Sequence, residues 1–140
     1  MKLFVGAKGF VVYEGKILIV RESSQYEDGT ETGRWDLPGG RLEAGERLMD
    51  GLVREIKEES GLTVTPGMLI DAGEGFPVIK EQPCHIVRLY YACTTDSDVV
   101  TLSSDHDAYE WIEPAAYVDF DIMDNVRDSF ERYLERTATH

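Results

Sequence analysis

The stretch from Leu3 to Tyr13 is rich in Val and Phe and predicts a strand, with Gly6 and Gly9 interrupting it. Glu14-Gly15 marks a turn, and Lys16 to Val20 continues as a second short strand, which makes a hairpin. Ser23 to Gly33 is polar and acidic and reads as a surface loop. Trp35 to Leu37 is a short strand that stops at Pro38-Gly39-Gly40. From about Glu46 the apolar positions change to helical spacing. Leu48, Leu52 and Ile56, with Met49 and Val53, form one stripe. Gly61 is placed to end that helix. Gly51 lies in its interior, at a cost of roughly 1 kcal/mol relative to Ala, and close approach of another backbone would account for it.

Leu62 to Ile70 and Cys84 to Thr94 read as strands, with Gly73, Gly75 and Pro77 breaking the segment between them. Tyr109 to Ile112 is another short strand. Val126, Phe130, Tyr133 and Leu134 give Asp124 to Arg136 the spacing of a closing helix that packs on the sheet. There is no repeat, low-complexity tract or linker. The elements add up to an α/β chain, and 140 residues suit a single domain over 1–140.

Composition narrows the functional classes. No apolar run approaches the roughly 18–20 residues that cross a bilayer, and the N-terminus has no long apolar segment of a secretory signal. The expectation is a cytoplasmic protein without membrane partners. A formal net charge of −13 argues against binding nucleic-acid polymers, which needs a basic surface. Cys84 and Cys93 stand nine residues apart in one predicted strand, so they point to opposite faces and read as two buried thiols. His85 and His140 have no partner at metal-ligand spacing and read as incidental.

The informative charges are on the first helix. Glu55, Glu58 and Glu59 are spaced i, i+3 and i+4, so they crowd one face beside the apolar stripe. Crowded like charges are unfavourable unless something lies between them, and a hard divalent cation suits carboxylate oxygens. Taken alone, clustered glutamates more often mean a solvated acidic face. The surrounding residues change that balance.

From Gly40 to Leu62 the chain reads GRLEAGERLMDGLVREIKEESGL. Gly40, Glu46, Arg54, Glu55, Glu58, Glu59 and Gly61, with apolar Ile56 and Leu62, resemble the Nudix box at every defined position. Seven of these positions are fixed identities. At about one in fifteen each, chance agreement is on the order of one in 10^8 per starting position. Trp35 to Gly40 resembles the strand and turn that lead into the box, and Ser103 to Ile112 resembles the family's acidic loop and following strand.

The resemblance implies an α/β/α sandwich around a mixed β-sheet. It implies Mg²⁺, or Mn²⁺, held by Glu58 and Glu59. Glu55 would be a ligand or the base that activates water, and the Gly40 carbonyl would complete the shell. Glu46 and Arg54 resemble the family's structural pair. Asp105 falls where the family often supplies a further acid from a loop, with Glu110 as its competitor. Arg21 and Arg34 could meet substrate phosphates, since Arg binds them in bidentate fashion, although surface solubility explains them equally well. Phe76, Tyr117 and Phe120 could stack a base, but aromatics so spaced are more often core.

The function implied is a metal-dependent hydrolase that cleaves the pyrophosphate linkage of a nucleoside diphosphate derivative. A (deoxy)nucleoside triphosphate, ordinary or oxidised, is the first expectation, weakly favoured by the compact length. ADP-ribose comes second, because Pro77 lies fifteen residues beyond Leu62, about where ADP-ribose-type relatives carry a proline. Dinucleoside polyphosphate is a further alternative. A non-catalytic nucleotide-binding sensor of the same fold would usually have lost box carboxylates, and this chain keeps all of them. A plain acidic interaction domain would neither bind nucleotide nor turn it over. The partner expected is a small-molecule nucleotide, and a homodimer is compatible with the resemblance.

Overall fold

The computed structural model describes residues 1–138. The reading of His140 lies outside the described residues. In chain order the elements are β1 (Lys2–Tyr13), β2 (Lys16–Glu22), β3 (Trp35–Asp36), β4 (Gly39–Arg41) and α1 (Leu48–Ser60). Then come β5 (Val64–Gly75), β6 (Val78–Ile79), β7 (Gln82–Thr95), β8 (His106–Ile112), a 3₁₀ segment (Pro114–Asp119) and α2 (Asp124–Thr137).

The sheet is mixed, with the order β3-β2-β1-β7-β5. β4 also pairs with β1, β6 with β7, and β8 with β2. β1 and β7 run parallel in unbroken register from Lys2↔Cys84 to Val12↔Thr94. A parallel pair needs a crossover connection, and α1 lies within it. Gly6 and Gly9 were expected to interrupt β1, yet the strand runs straight through both. Gly9 is accommodated because Ile56 of α1 packs where its side chain would be, with Cδ1 2.6 Å from the position of a Cβ.

The two faces of the sheet carry separate cores. Ala7, Val11, Leu18 and Val20 pack with Leu52 and Ile56 of α1. Phe10, Ile17, Ile19 and Tyr90 pack with Val126, Phe130 and Tyr133 of α2. Alternation along β1 and β2 thus feeds both layers and produces the sandwich. Cys93 belongs to the α1 side and is buried, and Cys84 is buried too; both are free thiols. Tyr117 stacks on Phe130 and Phe120 packs edge-on against Trp35, so both are core. Phe76 is exposed and stacks on His85.

Several boundaries differ from expectation. α1 starts at Leu48, two residues beyond Glu46, which is held by side-chain bonds in the preceding loop. β5 continues through Gly73 to Gly75, since its partner β7 keeps its backbone groups bonded. Met49 is 36% exposed and lies outside the apolar stripe. No backbone explains Gly51. A Cβ there would lie 2.3 Å from Leu42 Cδ2 and 2.8 Å from Glu46 Oε1, so side chains of the preceding loop claim the space.

Candidate active site

The turn before α1 brings its backbone against the helix. Gly39 has φ 141°, and a Cβ there would lie 2.2 Å from the Ala7 carbonyl oxygen. That position therefore excludes any side chain. Gly40 meets Glu55 instead: a Cβ at position 40 would come within 2.2 Å of Glu55 Oε2. The register Ala7↔Gly40 on β1 fixes this turn in place.

Arg54 organises the acids around it. Its Nε and Nη2 donate to the two oxygens of Glu46 at 2.6 and 2.8 Å, a bidentate fork. Nη1 donates to Glu55 Oε1 at 2.9 Å and reaches both oxygens of Glu58 at 3.2 Å. Nη2 also reaches the Arg41 carbonyl at 3.3 Å, which ties the helix to β4. The Glu43 N–H donates to Glu46 Oε1 at 3.0 Å. The Arg54 guanidinium, helped by that N–H, pulls the Glu46 carboxyl down to about 2. Burial pushes the Glu55 carboxyl above the usual carboxylate range; Arg54 opposes the rise, and Glu58 and Glu59 add to it.

Glu59 lies on the buried side of the helix and meets the loop before β8. The Ser103 hydroxyl donates to Glu59 Oε2 at 2.9 Å. His106 Nδ1 lies 2.8 Å from the same oxygen, without hydrogen-bond alignment. Burial raises the Glu59 carboxyl, but His106, Ser103 and Asp105 outweigh it and lower the net value. Asp105 shifts the other way, raised by its own burial and by the Glu59 charge. The Asp105 carbonyl accepts the Ser23 N–H at 2.8 Å, which anchors the loop to the end of β2.

These groups border one cavity of about 360 Å³. Gly40, Glu55, Glu58, Glu59 and Asp105 all line it. Glu46 lies behind it, bonded to Arg54. Arg21 and Arg34 are not among the lining residues. Arg21 donates to Asp107 at 2.7 Å, and Arg34 is engaged by Glu31, Asp121 and Asp124. Glu110 is exposed and outside the lining, whereas Asp105 is inside it.

Lining residues that the sequence did not single out include Lys8, Glu22, Asp36 and Arg88. Glu22 is 5% exposed, accepts the Glu31 N–H at 2.7 Å and has its carboxyl raised by burial. Lys8 is ion-paired to Asp36. A charged residue inside an apolar strand, as Lys8 and Arg88 are, was the available signal.

The donor chemistry suits a hard divalent cation: carboxylate oxygens on one helical turn, opposite a glycine whose missing side chain makes room for Glu55. Among the described residues no three His, Cys, Asp or Glu side chains yet converge on a common point. Arg54 draws Glu55 and Glu58 to itself, and His106 and Ser103 hold Glu59. The fit therefore rests on donor type and shared cavity.

Comparison with known proteins places this geometry. The NUDIX domain family model matches residues 3–133. A MutT-like protein from Streptomyces ambofaciens is 33% identical over 111 residues, 79% of this chain and 64% of that protein. The chain thus spans somewhat under two thirds of that relative's length. Nucleoside triphosphatase NudI from Escherichia coli O139:H28 (strain E24377A / ETEC) is 30% identical over 101 residues, 67% of this chain and 72% of that protein. The crystal structure of a MutT protein from Methanosarcina mazei Go1 superposes with a TM-score of 0.85 at 26% identity, covering 99% of this chain and 97% of the other. With the box intact and the fold shared, the chain belongs to the Nudix hydrolase family.

Proposed function

We propose that this chain hydrolyses the pyrophosphate linkage of (deoxy)nucleoside triphosphates, ordinary or oxidised, with Mg²⁺ or Mn²⁺ as its cofactor. The observation that carries this reading is the contact of Gly40 with Glu55 on the wall of the cavity that Glu58, Glu59 and Asp105 share. The substrate class is supported by NudI, a nucleoside triphosphatase by name. Glu58 and Glu59, with the Gly40 carbonyl, would hold the cation. When bound, it offsets phosphate charge and lowers the pKa of a coordinated water. For a chain of net charge −13 such a cation would also invert the local field that opposes a polyanion.

The chain's own residues do the rest. Glu55, raised by burial, takes the proton from the attacking water. The water oxygen then bonds to phosphorus as the bridging P–O bond breaks, releasing a nucleoside monophosphate and pyrophosphate. Arg54 orients Glu55 and is itself fixed by Glu46. Asp105, beside Glu59 in the same cavity, is a second acceptor. No helix of the described residues is long and apolar enough to cross a membrane.

The test is a panel of nucleoside triphosphates, ADP-ribose and dinucleoside polyphosphates assayed with Mg²⁺ in ¹⁸O-labelled water. Nucleoside monophosphate and pyrophosphate should form fastest from a triphosphate, with the label on one product. Faster cleavage of ADP-ribose would move the substrate assignment. No turnover of any of them would refute the hydrolase reading.

A further inference from the structure

One row of the sheet supplies Arg41, Gly6 and Arg88 to the cavity lining. Arg41 of β4, Gly6 of β1, Arg88 of β7 and Gly73 of β5 are successive register partners. Directly paired residues on neighbouring strands project from the same face. Arg88 therefore stands between two positions that carry no side chain. A Cβ at Gly6 would meet only the Gly40 carbonyl oxygen, at 3.6 Å, and one at Gly73 would meet nothing within 4 Å. The guanidinium lies along β5, where a Cβ at Gly75 would come within 2.9 Å of Arg88 Nη1.

The neighbouring cations in this lining are committed. Lys8 pairs with Asp36, and Arg41 pairs with Asp28 and covers the Phe4 ring. Among the described residues no carboxylate pairs with Arg88. In a chain this acidic, a lining arginine without an acid partner is directed at a ligand. Ile86 shares its strand face two residues away, and Pro77, Ile79 and Met123 add apolar lining to the same cavity.

A guanidinium offers only N–H donors, set in a rigid plane, so its partner must present paired acceptors. With the phosphates engaged beside the acidic helix, the remaining flat, acceptor-bearing part of a nucleotide is its base. Gly6, beside the apolar side chains of Ile86 and Ile79, leaves a floor that admits a planar ring. Guanine presents O6 and N7 together, whereas thymine and uracil present O4 alone on that edge. Adenine and cytosine turn an amino donor toward the same position, so neither offers arginine a pair of acceptors on that edge. We propose that Arg88 selects guanine nucleotides, through bidentate hydrogen bonding to O6 and N7 of the base. This rests on the nucleotide reading above and names the part of the substrate that the box does not touch.

The experiment compares kcat/KM for dGTP, dTTP, dATP and dCTP with Mg²⁺ in the wild type, Arg88→Leu, Arg88→Lys and the remote surface control Arg132→Leu. The wild type should prefer dGTP. Arg88→Leu should shrink that preference roughly tenfold or more, mainly through KM, as expected for losing a bidentate base contact. Arg132→Leu should keep the wild-type ratio. Should Arg88→Leu not fold, Arg88→Lys keeps the charge but loses the fork, and its preference should still fall. An equal loss on all four substrates, or an unchanged ratio, would overturn the proposal. Calorimetric binding of dGMP and dAMP needs no turnover and separates the two readings. If no triphosphate is cleaved, the hydrolase reading fails by itself. Tighter dGMP binding that vanishes in the Arg88 variants would still support base selection, and equal or absent binding would refute it.

Discussion

The carboxylate of Glu55 fills the space that a side chain at position 40 would need, with Oε2 2.2 Å and Cδ 2.7 Å from the position of a Cβ on Gly40. The glycine of the turn and the glutamate of the helix are thus one unit, although fifteen residues separate them. Gly40→Ala should push Glu55 off its position and reduce kcat by about tenfold to 100-fold, the range set by misplacing a reacting group by about 1 Å. Steady-state kinetics beside a thermal melt will separate this from unfolding. Wild-type kcat in a folded Gly40→Ala would show that the contact has no bearing on the chemistry.

Gly51 yields a prediction opposite in sign to helix propensity. Exchanging it for Ala should gain roughly 1 kcal/mol from the helix alone. The new methyl would lie 2.3 Å from Leu42 Cδ2 and would crowd Glu46. Overpacking of this kind costs about 1–3 kcal/mol. Gly51→Ala should therefore be neutral to destabilising in urea unfolding, and a clear gain in stability would contradict the packing account.

The Glu46–Arg54 pair should show in the acid limb of stability. The folded-state value of Glu46 is about 2, below the ordinary 4.5. A depressed carboxylate stabilises the fold fully above its unfolded value and loses that contribution as pH falls towards the folded one. The melting temperature of the wild type should thus exceed that of Glu46→Gln at neutral pH. The gap should narrow between about pH 4.5 and pH 2. A gap independent of pH would mean that the carboxylate charge does not matter.

What was legible in the sequence was local. Glu55, Glu58 and Glu59 lie within two helical turns, so their spacing alone puts them on one face. The α/β class followed from the change of period between β1 and α1. Arg21 and Arg34 illustrate the opposite case. Their partners Asp107, Asp121 and Asp124 lie more than eighty residues away, and only strand register and the closing helix bring them together. Arg88 enters the site the same way, through parallel pairing with β1. Gly51 was legible as an anomaly, but its cause lay in side chains of a loop whose path the sequence does not disclose.

In the proposed reaction, acids on one face of α1 hold a cation at the bond to be broken. The most direct measurement is the kcat of Glu58→Gln and Glu59→Gln under saturating Mg²⁺, alongside the wild type in excess chelator. Each substitution should lower kcat at least about 100-fold, the scale of losing several kcal/mol of charge stabilisation, with circular dichroism unchanged. The chelated wild type should be inactive, and activity should return on adding Mg²⁺. Undiminished turnover in both folded variants, or in the chelated wild type, would contradict the account.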